Sequence, residues 1–511
     1  MGGGPRGERR GGNPSMNGRE KSDRLVVPVK LPNNAAHAAA EVVEGRSLRE
    51  GNATSKTRSG PRAGQGAPSA LDRVRRIAQQ DKRARFTALL HHVDVDRLRE
   101  AYRALNPKAA TGVDGVTWLE YGLDLEENLR DLHARVHRGS YRAKPSRRAY
   151  IPKPDGRQRP LGIAALEDKI LQRAVVEVLN AIYETDFLGF SYGFRPGRSP
   201  HQALDALAFA IGRRKVSWIL DADIRGYFEH IDRSWMTRLL EHRIGDRRLL
   251  RLIQKWMSAG VIENGELVDT LEGTPQGASV SPLLANVYLH YVFDLWADRW
   301  RRREARGEVI VVRFADDYIV GFQHRDDAER FLTELRGRLA QFNLELAAEK
   351  TRLIEFGRFA AERRQKRGLG KPETFTFLGF THMCAKDRHG RFALRRVTEK
   401  KRMRAKLKAI KEEQKRRRHL PIPEQGRWLE RVVQGHYRYY AVPGNIRAVS
   451  TFHDQVQRHW FTALRRRSQR TNLDWERRSR LASRWLPPAR IVHPWPDTRF
   501  NAKTRARSPV R

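Results

Sequence analysis

The sequence predicts an α/β region followed by a strongly basic, partly helical C-terminal quarter. Three observations carry this. Two β-branched apolar runs, Val216–Leu220 and Val309–Phe322, bear aspartates at a strand end or turn, the mark of strands in a common sheet. Apolar residues recur at helical spacing from Leu71 onward (Phe86, Leu89, Leu90, Val93, Leu98, Tyr102). Residues 391–511 hold 33 Lys/Arg against 9 Asp/Glu, a net +24 of the whole chain's +41. At 511 residues the chain is too long for one ordinary core, so two to four domains are expected.

The charge narrows the function classes. Lys plus Arg number 100 against 59 Asp plus Glu, and the pI is 11.0. Self-repulsion on that scale calls for a polyanionic partner, with nucleic acid ahead of an acidic membrane. With 39% hydrophobic residues and 11 Trp, 13 Tyr and 20 Phe, the chain can build sizeable cores and is not a disordered basic protein. Cys384 is the one cysteine, which excludes a disulfide framework, cysteine zinc fingers and iron–sulfur sites and fits a reducing cytoplasm. No apolar run approaches the roughly 18 residues of a membrane span, and MGGGPRGERRGG lacks a signal-peptide core. A cytoplasmic protein with no membrane partner is expected.

Along the chain, residues 1–70 are rich in Gly, Pro, Ser, Asn and Arg and read as a disordered basic tail. Tyr150–Ile163 (YIPKPDGRQRPLGI) reads as a hairpin turning at Pro154-Asp155-Gly156, with Lys153, Arg157 and Arg159 around it. Such cations suit triphosphate recognition, and an exposed basic turn is the alternative. Val216–Leu220 is a buried strand with Asp223 at its C-terminal end, 93 residues before Asp316 in the hairpin VIVVRFADDYIVGF. Adjacent carboxylates need something to stabilise them. Hard oxygen donors without a Cys or His cluster favour magnesium or manganese. The loop Gly273–Pro282 lets backbone approach a ligand, and Gln276 in it is placed to position a nucleotide or template. Ser281 is expected to cap, and Pro282 to open, a helix with Leu284, Val287, Tyr288, Tyr291 and Leu295 on its core face. In the C-terminal quarter basic runs (Lys400–Lys411, Lys415–Arg418, Arg465–Arg467) interleave with aromatic residues, a pattern that suits phosphate contacts and base stacking.

Taken together these segments resemble the reverse transcriptase–maturases encoded within bacterial group II introns, over about residues 105–495. The resemblance lies in Gly112-Val-Asp-Gly115, Ile151–Ile163, Ser191-Tyr-Gly-Phe-Arg-Pro-Gly-Arg198 and Asp223-Ile-Arg-Gly-Tyr-Phe228. It continues through Thr274-Pro-Gln-Gly277, Ser281-Pro-Leu-Leu-Ala-Asn286, Phe314-Ala-Asp-Asp317, Glu349-Lys-Thr351 and Phe377-Leu-Gly379. Seven or more motifs in one order is a specific signal.

The resemblance implies an α/β right-hand polymerase of fingers (71–215) and palm (216–385), then an all-α maturase thumb, domain X (386–490), and a basic C-terminal tail (491–511). It implies catalysis by Asp223, Asp316 and Asp317, with Asp223, Ile224, Asp316 and Asp317 holding two Mg²⁺ ions, for which Mn²⁺ can substitute. Lys153, Arg159, Phe228 and Gln276 would receive the dNTP. Phe228 would lie under the sugar and exclude a 2′-hydroxyl; a core role for it is the alternative, with Tyr227 beside it able to fill the palm interior instead. For RNA it implies Arg195, Arg198, Lys400, Lys401, Arg402, Lys406, Tyr437, Tyr439, Tyr440, Arg466 and Arg467. The implied partners are group II intron RNA, target DNA and dNTPs, and a homodimer is left open. The HPWPDTRF stretch (His493–Phe500) also recurs in these proteins, and the single cysteine leaves no paired-cysteine HNH endonuclease expected.

The implied function is RNA-directed DNA synthesis from intron RNA, with RNA binding that assists splicing. A same-fold polymerase of retron, diversity-generating or phage-defence type is the alternative. An RNA-binding splicing factor without polymerase activity is the third reading, and intact Asp223, Asp316 and Asp317 argue against it. The family usually has Tyr before Ala-Asp-Asp, where this chain has Phe314. Losing that hydroxyl is expected to alter rate or fidelity without abolishing synthesis. Phe314→Tyr should therefore shift the misincorporation frequency or the single-nucleotide addition rate, and identical kinetics would remove the effect.

Overall fold

The computed structural model describes residues 70–152, 158–263, 266–268, 277–467 and 473–499. Within them lie strands β1 (Ser146–Pro152), β2 (Gln158–Ile163), β3 (Trp218–Asp223), β4 (Val261–Glu263), β5 (Glu266–Val268) and β6 (Val309–Phe314). Then come β7 (Asp317–Phe322), β8 (Arg352–Glu355), β9 (Phe375–Phe377), β10 (Phe380–Lys386) and β11 (Phe392–Thr398). They form three sheets, ordered β2-β1-β4-β5, β6-β7-β3-β8 and β11-β10-β9. The remainder is mostly helical, and beyond β11 every described element is a helix. No described helix is long and apolar enough to cross a membrane.

The central sheet β6-β7-β3-β8 is antiparallel throughout. Side chains alternate between its faces with period two. Leu220, Ala222, Tyr318, Val320, Phe322 and Val311 point into the largest core, built with the helices Leu166–Asp186, Arg233–Glu241, Arg247–Met257, Ser281–Leu289 and Arg325–Ala340. Ile219, Ile319, Ile310 and Val312 point to the other face, against the helix Pro200–Arg213 and against β9 and β10. A third core joins the helices Lys400–Arg417, Ile422–Tyr440 and Ile446–Arg465 through Ile410, Leu429, Val433, Val449, Phe452, Val456 and Trp460. Both faces of the central sheet are thus covered over most of its length.

The hairpin forms as its sequence predicts, with Ala315 and Asp316 as the link between β6 and β7. The expected strand Val216–Leu220 lies two to three residues further on, as Trp218–Asp223, and Asp223 stands at its C-terminal end as expected. The helix at Ser281 differs in two ways. Its N-cap residue is Val280, whose side chain makes no capping bond, and Ser281 is buried as the first helical residue. A π-helical turn, His290–Asp294, then interrupts it. The wider turn shifts the phase of the following residues, so Leu295 is 41% exposed rather than on the core stripe. The Pro154–Gly156 turn lies outside the described residues. Residues 491–499 of the expected tail are packed: Val492 N–H donates to the Ala441 carbonyl, His493 stacks on His201 at 4.1 Å, and Arg499 pairs with buried Asp205 at 3.2 Å.

The helical spacing after Leu71 is broken into two helices, Ala70–Gln80 and Val95–Arg103, and Asp246 holds the break together. Its buried carboxylate caps Arg247–Met257 through the N–H groups of Arg248 (3.0 Å) and Leu249 (3.3 Å). It also accepts from Leu89 (2.8 Å) and Leu90 (2.9 Å), more than 150 residues away in sequence. Burial alone would raise its pKa, but the four donors outweigh burial and hold it below the usual carboxylate value. A folded pKa below the unfolded one stabilises the fold above the unfolded pKa, and that stability fades as pH falls through the folded one. Asp246→Ala should cost about 2–4 kcal/mol near neutrality by chemical denaturation, because buried N–H groups lose their acceptor. The difference from wild type should shrink toward acid pH.

Candidate active site

Register brings the acids together. Asp223, at the end of β3, lies directly across from Asp317, the first residue of β7. With period-two alternation Asp221 shares their face. Asp316 stands in the turn beside them, following Ala315, whose φ of 57° is in the left-handed region. Crowding is evident in Asp317, whose pKa is pushed well above the usual value by burial first, then by Asp316, Asp221 and Asp223, with Arg402 opposing. Burial also raises Asp221, against the pull of Arg352 at 3.3 Å. The Lys350 ammonium contacts the Asp223 carboxylate. Among the described residues no group of three His, Cys, Asp or Glu side chains is already arranged as an ion site.

The turn is held from behind by Arg313. This residue, with Asp294, is completely buried. Its Nε and Nη2 donate to the two carboxylate oxygens of Asp294 at 2.7 and 2.6 Å. Nη1 donates to Asn286 Oδ1 (3.0 Å) and to the Ala315 carbonyl (2.8 Å), and Nη2 also reaches Ser191 Oγ (2.7 Å). All five guanidinium donors are used. Asn286 Nδ2 in turn donates to the Gly193 carbonyl at 2.6 Å. A Cβ on Gly193 would lie 2.2 Å from the Ala315 nitrogen, so only glycine lets this loop lie against the turn.

The other sequence-assigned residues divide. Phe228 is half-buried and edge-on to Phe194 at 6.5 Å, while Tyr227 is the one that fills the interior, its hydroxyl donating to the Ala285 carbonyl at 2.6 Å. The Ile224 side chain is in the core, so only its main chain can face the acids. Arg159 is exposed on β2, paired across the sheet with Ile151. Lys153 and Gln276 lie outside the described residues.

For the RNA assignments, Lys400, Lys401, Arg402, Arg466 and Arg467 are exposed and Lys406 is half-buried. Arg198 is half-buried with its guanidinium over the Tyr192 ring at 5.4 Å. Arg195 does not fit its assignment: it is buried, pairs with Glu184 at 3.1 Å and donates to the carbonyls of Leu188 and Ser191. Its donors are consumed inside the fold. Tyr437 is likewise buried, its hydroxyl donating to the Pro487 carbonyl. Tyr439 donates to the Leu378 carbonyl, and Tyr440 packs on Phe380 at 5.2 Å, so these rings join the helical region to the sheet β11-β10-β9.

Sequence reasoning missed Asp221, Lys350 as a partner of Asp223, and the Arg313–Asp294 pair. Asp221 was legible from the two-residue spacing in Leu-Asp-Ala-Asp. The signal for Arg313 was a lone cation inside the apolar run VIVVRF.

A family profile described as reverse transcriptase (RNA-dependent DNA polymerase) matches residues 151–382, which include all of the central sheet. Protein YkfC of Escherichia coli is 34% identical over 291 residues, covering 50% of this chain and 76% of that protein. Group II intron-encoded protein LtrA of Lactococcus lactis is 36% identical over 224 residues, 43% of this chain and 37% of LtrA. Nuclear intron maturase 1, mitochondrial, of Arabidopsis thaliana is 26% identical over 88 residues, 17% of this chain and 12% of that protein. The chain thus spans little more than a third of LtrA.

Breaking the buried pair tests its hold on the turn. Asp294→Ala leaves Arg313 charged and unpaired in the core and should cost about 3–5 kcal/mol of stability by denaturant titration. Asp294→Asn, which keeps the shape and one acceptor oxygen, should cost clearly less.

Proposed function

The chain belongs to the family of group II intron-encoded reverse transcriptases and maturases, and on that footing we propose that it copies intron RNA into DNA at Asp223, Asp316 and Asp317. The observation that carries this is the pairing of Asp223 with Asp317 across β3 and β7, with Asp316 in the adjoining turn, inside the matched region. Reverse transcriptases in general use divalent metal ions. The donor set fits such an ion, because crowded, partly desolvated carboxylates gain most from a hard dication. Asp223, Asp316 and Asp317 would hold it, with Ile224 contributing through its main chain, and two Mg²⁺, or Mn²⁺ in their place, would complete the set. The ions would supply charge stabilisation for displacement of pyrophosphate by the primer 3′-hydroxyl. The protein's part is to hold the acids still, through Arg313 behind the turn, and to shape the nucleotide site. In that site Phe228 would meet the sugar, while Lys153, Arg159 and Gln276 would meet the triphosphate and base.

The region 386–490 would be the maturase thumb, domain X, gripping intron RNA through Lys400, Lys401, Arg402, Lys406, Arg466 and Arg467. In that role the protein supports an RNA fold that carries its own splicing chemistry. Target DNA is the remaining nucleic-acid partner, reached in the bacterial cytoplasm and at the nucleoid.

The two roles are separable. Asp316→Ala should reduce metal-dependent primer extension by on the order of a thousandfold, since several kcal/mol of charge stabilisation go with the ions. It should leave intron-RNA affinity, and RNA splicing at low Mg²⁺ with added protein, at the wild-type level. A folded variant that lost RNA binding as well would join the two roles in one site.

A further inference from the structure

The segment between β8 and β9 was not absorbed by the catalytic reading. Residues 356–371 hold six Lys/Arg against one acid, Glu362. They include the short helix Ala360–Lys366, of which Ala360 is the buried residue. Phe359, just before it, is 51% exposed, and the Arg363 guanidinium lies over its ring at 5.9 Å. The ring therefore faces solvent with a cation over it, an arrangement that leaves its edge and other face open to a stacking partner.

Position separates this patch from the acids. Trp218, at the start of β3, pairs with Glu355, at the end of β8, whereas Asp223 ends β3 five residues later. At about 3.3 Å per residue the patch leaves the sheet roughly 16 Å from the carboxylates. It is tied there firmly. Phe356 N–H donates to the Ser217 carbonyl at 2.9 Å, and Gly357, with φ of 114°, lies so close that a Cβ would sit 2.1 Å from the Val216 carbonyl oxygen. Arg358 donates to the Gly212 carbonyl at 3.2 Å, which brings it beside the exposed run Arg213-Arg214-Lys215.

Some of these charges are spent internally, since Arg364 faces Glu373, Arg367 contacts Glu355 and Arg214 faces Glu308. The pairs Lys366–Glu362 and Arg213–Asp497 are more than half exposed, so they can exchange partners at little cost. Cations around a solvent-facing aromatic ring match a phosphate backbone with a base free to stack.

We propose that Phe359, Arg358, Arg363, Lys366 and Lys215 form a second RNA-binding surface, at the opposite end of the central sheet from the carboxylates, that takes a folded RNA while the polymerase site is occupied. This rests on the RNA-binding reading above and extends it to a face remote from Asp223. The polymerase site would read template and primer, and this face would hold a structured part of the RNA.

The test uses the full-length protein saturated with a 3′-blocked RNA–DNA template–primer and titrated with a fluorescent RNA stem-loop carrying an unpaired loop. Wild type should bind the stem-loop under those conditions. The triple variant R358Q/R363Q/K366Q should bind about tenfold more weakly, with the slope of log affinity against log salt shallower by about 2. Phe359→Ala should weaken binding about fivefold with little change in slope, as expected for a lost stack. All variants should extend an unblocked primer at the wild-type rate. Failure of the stem-loop to bind once the polymerase site is filled, or unchanged affinity and slope in the variants, would overturn the second surface. Wild-type protein that extends no primer would instead sink the polymerase reading, so the two failures are distinguishable.

Discussion

The arrangement depends on one buried ion pair. Arg313 and Asp294 are both fully shielded from water, and the guanidinium uses every donor it has. Burying two charges is costly, and such a pair is tolerable only when geometry and extra hydrogen bonds offset the desolvation. Here the extra bonds go to Ser191, Asn286 and the Ala315 carbonyl, which belong to three different segments. The same residue joins the main chains, as Arg313 N–H donates to Phe190 and its carbonyl accepts from Tyr192. The left-handed Ala315 is therefore held by a loop, a helix with its π turn, and a strand at once, and the position of Asp316 follows.

A rigid support matters because the acids repel. Asp223, Asp316, Asp317 and Asp221 crowd one end of the sheet, and burial first, then the neighbouring acids, raise the pKa of Asp317. The neighbouring cations come from distant segments: Lys350 just before β8, Arg352 within it, and Arg402 near the start of the first C-terminal helix. Arg402 also approaches Gly379, whose φ of 76° and lack of a side chain let it lie against Tyr440. The basic helical region thereby touches the acid cluster electrostatically. Asp205, on the helix Pro200–Arg213, takes Arg396 of β11 at 2.9 Å and Arg499 at 3.2 Å, and so ties that strand and the last described residues to the helix behind the sheet.

Much of this was legible in one dimension. The hairpin around Asp316-Asp317 follows from β-branched runs flanking a polar turn, and the acids' chemistry follows from oxygen donors without cysteine or histidine. The order of motifs along the chain points to the family by itself. The misreadings share a cause. Arg195 and Tyr437 are residue types that bind RNA when exposed, but Glu184 and Pro487 claim their polar atoms. Leu295 left its stripe because a single π turn changes helical phase, which no residue type announces.

What the sequence by itself determined is local and chemical: where strands and helices run, which residues carry charge, and that two distant stretches end in aspartate. Only the tertiary structure decided that Asp223 faces Asp317 across antiparallel strands, that Tyr227 rather than Phe228 fills the interior, and that Arg313 serves the turn from behind. Register, burial and the consumption of hydrogen-bond donors depend on neighbours tens to hundreds of residues away. A pattern of residue types along the chain carries no term for them.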